Sequence, residues 1–294
     1  MLYKSALFNY LPIINIIFTS LIIGSENESG SYFDCPCPRI IAHQGSSIQL
    51  PPNTIEAFQL ALDQGADIIE LDIWRSKDGT WVVIHDGNLS RIAGVDRDIT
   101  KLTFEEIQSI DAGYNFSDSS GNYLYRNRGY KIPSLEQVFK QFNNEKINIE
   151  IKTISKLGLS DLVKLIKKYQ MEQKVLVVSF SHNVIKKFRK ISNNQIATAA
   201  SKRDIMRMIY FGKFPGFKFY FDAFQIPFYS KKVKRYGLKN SNWVKDMQIK
   251  GLEVHYWTID NPKDIKNAVS LGADGIITNM PKIAYDLLEQ MGKR

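Results

Sequence analysis

Three carboxylates and two histidines in this chain have types and spacings that could do chemistry. Glu70 and Asp72 lie in "DIIELDIW", alternating with Ile69, Leu71 and Ile73. On a strand, the period of two puts both acids on one face and the aliphatic residues on the other. Two acids side by side in a fold's interior repel each other and lose hydration, so both stay ionised cheaply only around a cation. Glu150 and Lys152 in "INIEIK" repeat the pattern further along. Three carboxylates at strand ends suit one hard divalent ion, Mg²⁺ or Ca²⁺, with water and substrate oxygens completing its shell. His43 in "IIAHQGSS" would, alone, read as a core histidine. Beside those acids and His85 in "WVVIHDG" it becomes a candidate piece of an active site. His182 reads instead as a capping or surface residue and His255 as a hydrogen-bonded core residue. Trp74, Trp81 and Trp243 read as packing residues.

The elements that must position these groups alternate from residue 39 to the end. Strand patterns fall at 39–43, 67–73, 81–86, 147–152, 174–180, 195–200, 222–227, 253–259 and 275–278, and amphipathic helical patterns at 54–64, 134–143, 159–170, 202–211 and 262–271. Such alternation over about 250 residues predicts a (β/α)₈ TIM barrel. A doubly wound sheet is the alternative, but no glycine-rich phosphate loop follows the first strand. One strand pattern is surplus to a barrel of eight. Only "SKDGT" separates the second run from the third, too little for a parallel crossover. These two runs therefore read as a hairpin turning at Asp78-Gly79, which would set Asp72 opposite His85 and Glu70 opposite Gly87. Residues 87–133 are turn-rich and too long for an ordinary connection, and they read as an insertion over the barrel mouth that contributes substrate contacts.

Composition sets the remaining bounds. With 44% apolar and 23% charged residues in 294, the chain can bury one large domain, 39–294, and no internal repeat points to a solenoid. The net charge of +9 comes from scattered lysines rather than a basic stripe with interleaved aromatics, so no nucleic-acid partner is expected. Residues 1–24 run from Lys4 through an apolar stretch to a polar exit, the order of an export signal, with an uncleaved membrane anchor as the alternative. Either places residues 39–294 outside the cytoplasm, after a linker at 25–38. Cys35 and Cys37, the only cysteines, are too close in sequence for an unstrained mutual disulfide.

The ordered set of motifs resembles the glycerophosphodiester phosphodiesterase family, whose pattern runs His-Arg-Gly, Pro-Glu-Asn-Thr, Glu-x-Asp, Lys-Asp-Gly, His-Asp and Glu-x-Lys. Here these read "HQG" at 43–45, "PPNT" at 51–54, "ELD" at 70–72, "KDG" at 77–79, "HD" at 85–86 and "EIK" at 150–152. "IPSLEQVF", "VVSFS", "VHYWTID" and "GADGIITNMP" extend the match to residue 283. The resemblance implies a metal held by Glu70, Asp72 and Glu150, acid-base catalysis by His43 and His85, and substrate contacts from Lys152 and Trp257. It further implies hydrolysis of glycerophosphodiesters to an alcohol and glycerol 3-phosphate through a cyclic phosphate formed by the glycerol 2-hydroxyl. Two positions depart from the pattern. Gln44 replaces an arginine, which turns a charged phosphate contact into a neutral one, and Pro52 replaces a glutamate, while Asn53 and Thr54 remain to fix the loop and cap the first helix. Two other readings stand beside this one: a lysophospholipase D or sphingomyelinase-type enzyme on the same barrel, and an inactive module that binds phosphodiester head groups.

Overall fold

Among the described residues nine strands form where β-branched runs are bounded by turns: β1 Arg39–His43, β2 Ile68–Arg75, β3 Trp81–Val83, β4 Lys146–Ile151, β5 Val175–Val178, β6 Ala197–Thr198, β7 Ala223–Pro227, β8 Glu253–Trp257 and β9 Gly275–Thr278. The structure, a computed structural model, describes residues 31–294 apart from 119, 213 and 215. The segment 1–24, read as an export signal or anchor, and residues 25–30 of the linker lie outside the described residues. Among the described residues no helix is long and apolar enough to cross a membrane.

Eight strands run parallel in the order β6-β5-β4-β2-β1-β9-β8-β7. The two ends of that order meet through a parallel bridge between Ala199 and Ala223, with Asp222 N–H donating to the Thr198 carbonyl at 2.8 Å. This closes the (β/α)₈ barrel. The connecting helices are α1 Ile55–Asp63, α2 Ser90–Ala93, α3 Phe104–Gln108, α4 Leu135–Gln141, α5 Leu159–Lys168, α6 His182–Ile191, α7 Lys202–Phe211, α8 Lys231–Arg235, α9 Ser241–Ile249, α10 Pro262–Ser270 and α11 Pro281–Gln290. Their starts are written locally. Thr54 caps α1 through Ala57 N–H, Ser134 and Ser201 close capping boxes on α4 and α7, and Pro262 and Pro281 occupy first turns, where no N–H is missed. Each side-chain cap is worth about 1 kcal/mol.

Strand parity divides the residues of β2 between two environments. Ile69, Leu71 and Ile73 pack outward against Phe58, Leu135, Phe139, Leu162 and Phe188 of the helical layer. Glu70 and Asp72 are thereby turned into the barrel. At the N-terminal end of the strands the interior is closed by Arg39, paired with Glu253 at 2.8 Å, and by His255, whose Nε2 lies 2.9 Å from the same carboxylate. His255 is thus the buried, hydrogen-bonded core residue its position suggested. Cys35 and Cys37 are free.

The surplus strand is a hairpin arm, as expected: β3 pairs antiparallel with β2 outside the barrel order. Its register differs from the expected one by a residue. Arg75 pairs with Trp81 and Ile73 with Val83, so the loop holds the five residues Ser76–Thr80 rather than centring between Asp78 and Gly79. The odd count has a local cause. Ser76 N–H donates to the Thr80 carbonyl, the Ser76 hydroxyl accepts from Thr80 N–H, and Gly79 takes φ +88°, a conformation natural only to glycine. In consequence Asp72 faces Ile84, whose N–H donates to the Asp72 carbonyl, and His85 stands beyond the ladder. Residues 87–133 then build a core of their own, with Leu89, Ile92, Ile99, Leu102, Ile107 and Ile132 packed on Val82 and Ile84.

Candidate active site

Parallel pairing of β2 with β4 sets Asp72 beside Glu150, and pairing of β1 with β2 sets His43 beside Glu70. Each of Glu70, Asp72 and Glu150 offers an oxygen within 4.8 Å of the others'. Few donors compensate them. Gln44 N–H donates to Glu70 at 2.9 Å and the Asn53 amide to Asp72 at 3.0 Å. The Lys152 ammonium lies 3.1 Å from Asp72 and 3.0 Å from Glu150. The contact to Asp72 lacks hydrogen-bond geometry, so Asp72 Oδ1, like Glu150 Oε1, is buried without a hydrogen bond. Burial first, then the charges of Asp72 and Glu150, push the Glu70 carboxyl well above its usual range. Burial likewise raises Glu150, against the opposing pull of Lys152. For Lys152, burial works against the charge, but Asp72 and Glu150 outweigh it and hold the ammonium above its ordinary value. Hard oxygen donors, orphaned lone pairs and one lysine against three acids fit a divalent cation.

The turn after β1 is built to deliver these contacts. Gln44 and Gly45 both have positive φ, and a Cβ on Gly45 would come within 2.6 Å of the Ala57 backbone of α1. Gln44 enters the site through its main chain: its N–H serves Glu70, and its carbonyl accepts from Asn53 N–H at 3.0 Å. The Gln44 side chain is buried and does not line the cavity over the site.

The two histidines face that cavity from different settings. His43 Nδ1 lies 2.7 Å from Asn279 Oδ1. The Asn279 amide is oriented in turn by Asp260, which accepts from its Nδ2 at 2.7 Å and its backbone N–H at 2.8 Å. With the amide fixed that way, His43 Nδ1 must donate, and the Nε2 lone pair is left for chemistry. Burial lowers the His43 pKa against the hydrogen bond to Asn279, favouring the neutral ring. His85 is 40% exposed and pairs through Nδ1 with Asp86 at 2.6 Å, and Asp86 is bound in turn by Arg91. The indole N–H of Trp74 fixes the His85 backbone by donating to its carbonyl at 2.9 Å.

His43, Glu70, His85, Glu150, Lys152 and Trp257 line one cavity of about 530 Å³, and Asp72 lies beneath its floor. Among the described residues none of 87–133 lines it, so the contacts expected from the insertion are absent from this cavity; its outer walls come from elements that follow β5, β6 and β7. Asn279, Asp260, Asn148 and Gln225 were not singled out from sequence. Asn279 directly follows β9 and Asp260 lies three residues past β8, and polar residues just past strand ends were the signal available. His182 begins α6 and bonds Ser201 Oγ at 2.9 Å, away from the cavity lining.

The family model for the glycerophosphoryl diester phosphodiesterase family matches residues 43–283. A glycerophosphodiester phosphodiesterase of Caldanaerobacter subterraneus subsp. tengcongensis is 32% identical over 86% of this chain and 98% of its own length. A lysophospholipase D of Mus musculus is 26% identical over 86% of this chain and 82% of its own. The fold matches the crystal structure of a glycerophosphodiester phosphodiesterase from Agrobacterium tumefaciens with a TM-score of 0.68 at 22% identity, covering 84% of this chain and 99% of that one.

Proposed function

This chain belongs to the glycerophosphoryl diester phosphodiesterase family, and from that premise we propose that it hydrolyses glycerophosphodiesters to an alcohol and glycerol 3-phosphate, with His43 and His85 moving the protons. The observation that carries the reading is that both imidazoles open onto the same cavity as two of the three carboxylates and Lys152. Glu70, Asp72 and Glu150 would hold one divalent cation, Mg²⁺ or Ca²⁺, which when bound supplies positive charge to the phosphoryl oxygens.

The residues divide the remaining work. His43, neutral with Nε2 free, takes the proton of the glycerol 2-hydroxyl as its oxygen attacks phosphorus. His85, held through Nδ1 by Asp86, gives a proton to the alcohol as its bond to phosphorus breaks. Water then opens the cyclic phosphate with the two roles reversed. Lys152 adds positive charge beside the phosphate. Asn279 and Asp260 act through His43, holding its tautomer. A module that only bound phosphodiesters would have no use for such an acid-base pair. Cleavage of a single-chain lysophospholipid, the activity in the mouse relative's name, is a second reading, favoured by the apolar extension of the cavity.

A substrate panel on the full chain, following glycerol 3-phosphate and alcohol release with and without chelator, tests the reading. Full activity in chelator, or none on any glycerophosphodiester with metal supplied, overturns it. Residues 1–24 carry the proposal that the protein is exported, and a wholly cytoplasmic product on cell fractionation would refute that.

A further inference from the structure

The two ends of the barrel differ in what they leave uncovered. His43 and Trp257 are the last residues of β1 and β8, so the site occupies the C-terminal end of the strands. The stretch "YFGKFPGFKFYF" at 210–221 joins the end of α7 to β7 and so lies at the opposite end. Seven of its twelve residues are aromatic, and they divide into two sets. Phe217, Phe219 and Phe221 run inward ring against ring, with centroids 5.0 and 5.7 Å apart, to Phe224 and through it to Trp243. Tyr210, Phe211, Phe214 and Tyr220 are each more than half exposed. Tyr210, Phe211 and Phe214 follow one another at 6.4 and 6.3 Å, so the exposed rings form a patch instead of lying scattered. Single exposed apolar side chains need no partner, but a contiguous group of large ones marks a contact surface.

The charge around the patch narrows what covers it. Residues 205–221 carry no acid. Arg207 and Lys218 share with Phe211, Phe214, Phe217 and Tyr220 the walls of a hollow of about 400 Å³. Ile249, the last residue of α9, is exposed at the same end of the barrel, next to the exposed Lys250. A purely apolar partner would bury these cations without counter-charge. The surface of an anionic bilayer suits both kinds of side chain, because rings settle at the head-group level and lipid phosphates face the cations.

The course of the chain supplies a second argument. Residues 31–38 lead into β1 at this same end, where Tyr32 is buried in a cluster with Ile41 and Ile68 and the Lys146 ammonium, at the start of β4, donates to the Asp34 carbonyl. Six residues, 25–30, separate this point from the apolar run that ends at Gly24, and six residues extend at most about 20 Å. That run, lodged in a bilayer, would hold this end of the barrel nearest the lipid and the mouth farthest from it. We propose that the end of the barrel bearing Tyr210, Phe211, Phe214 and Tyr220 rests on an anionic lipid bilayer, with the mouth turned to the aqueous side. The exposed aromatics of the mouth already have partners around the site: Phe180 edges onto Trp257 at 5.9 Å, and Tyr229 donates to Asp264 at 3.0 Å.

Tryptophan fluorescence of the full chain on vesicles gives the test. Phe214→Trp places an indole in the patch, and Ile154→Trp places one at an exposed position just past β4, at the mouth. The vesicles combine phosphatidylglycerol with phosphatidylcholine brominated in its chains, and each added emission is read as the difference from the parent. In the vesicle-bound protein, the added emission of Phe214→Trp should be quenched and shifted to the blue, while that of Ile154→Trp stays unchanged. Phe211→Asp or Lys218→Glu, each added to Phe214→Trp, should reduce that quenching at least about twofold without lowering the melting temperature. Protein that stays off the vesicles, quenching at Ile154→Trp that equals or exceeds that at Phe214→Trp, or quenching indifferent to both added substitutions overturns the proposal. So does a dimer in sedimentation whose Phe214→Trp emission is already blue-shifted without lipid, which would give the patch to a second copy. None of these outcomes reads turnover, so they stand or fall apart from the phosphodiesterase reading.

Discussion

Two buried acidic clusters in this barrel meet opposite fates. Asp204, in the first turn of α7, is 6% exposed and accepts from Arg189 at 3.1 Å, from Ser201 N–H at 3.0 Å and from the Ser201 hydroxyl at 2.8 Å. Burial alone would raise its pKa, but the Ser201 hydrogen bond and the Arg189 charge outweigh it and hold the carboxyl below its usual range. Arg189 spends its other donors on Thr198 Oγ1 and the Ala199 carbonyl. Glu70 is 3% exposed, accepts one backbone N–H, and faces two more acids, so its carboxyl moves the other way. Burial of a carboxylate therefore says little by itself. The Asp204 cluster is complete within the polypeptide, and the Glu70 cluster is complete only with charge from outside. That is the difference between a structural ion pair and a site.

The contrast can be broken by mutation, most forcefully at the triad. Glu70→Gln and Asp72→Asn should each lower hydrolysis by at least about 10³-fold, with chelator doing the same to the parent. The metal-free variants should melt no lower than the metal-free parent, because one repulsion has gone. Thermal denaturation in chelator decides this, and a large loss of stability would make the triad structural after all. His43→Ala and His85→Ala come next, each costing roughly 10²- to 10⁴-fold in kcat/KM while Mg²⁺ or Ca²⁺ still raises the melting temperature.

Asp204→Ala is the mirror experiment. It should remove about 3 kcal/mol of stability by stranding Arg189, with turnover per folded molecule unchanged. Because the folded pKa of Asp204 is depressed, its contribution is present above the unfolded value, near 3.8, and is lost as pH falls through the lower folded value. Urea titrations across that range should show the parent losing stability towards acid more steeply than the variant. The smallest effect is expected at Asn279→Ala, roughly tenfold in kcat. The Asn279 hydrogen bond raises the His43 pKa against burial, so its removal should move the acid limb of the kcat/KM profile further below the ordinary histidine value. A drop in rate with an unmoved limb would leave Asn279 a packing residue.

Much of this was legible in sequence because strand parity is a local rule. The alternation in "ELD" and "EIK" placed Glu70, Asp72 and Glu150 inside, and the short "SKDGT" link forced a hairpin. What escaped depended on side chains rather than on period. The one-residue error in register arose because Ser76 and Gly79 build an odd-numbered loop, which no dipeptide turn rule reports. Asn279 and Asp260 escaped because their importance lies in a chain of hydrogen bonds reaching His43 across 236 residues. Gln44 drew attention for its side chain, yet the buried contribution at that position is a backbone N–H that any residue able to hold φ +59° would supply.

The hairpin that carries His85 begins and ends a detour. Val82 bridges Ser134, and Val83 N–H donates to the Pro133 carbonyl at 2.8 Å, so the chain returns beside the point where it left. An excursion whose ends are already neighbours can be shortened, lengthened or exchanged at small entropic cost, since closure depends only weakly on length. Residues 87–131 thus resemble a cassette clipped to the barrel by β3. A designer could replace that cassette, provided the new segment covers Val82 and Ile84 and supplies a cation to Asp86 in place of Arg91, while the imidazole stays in place.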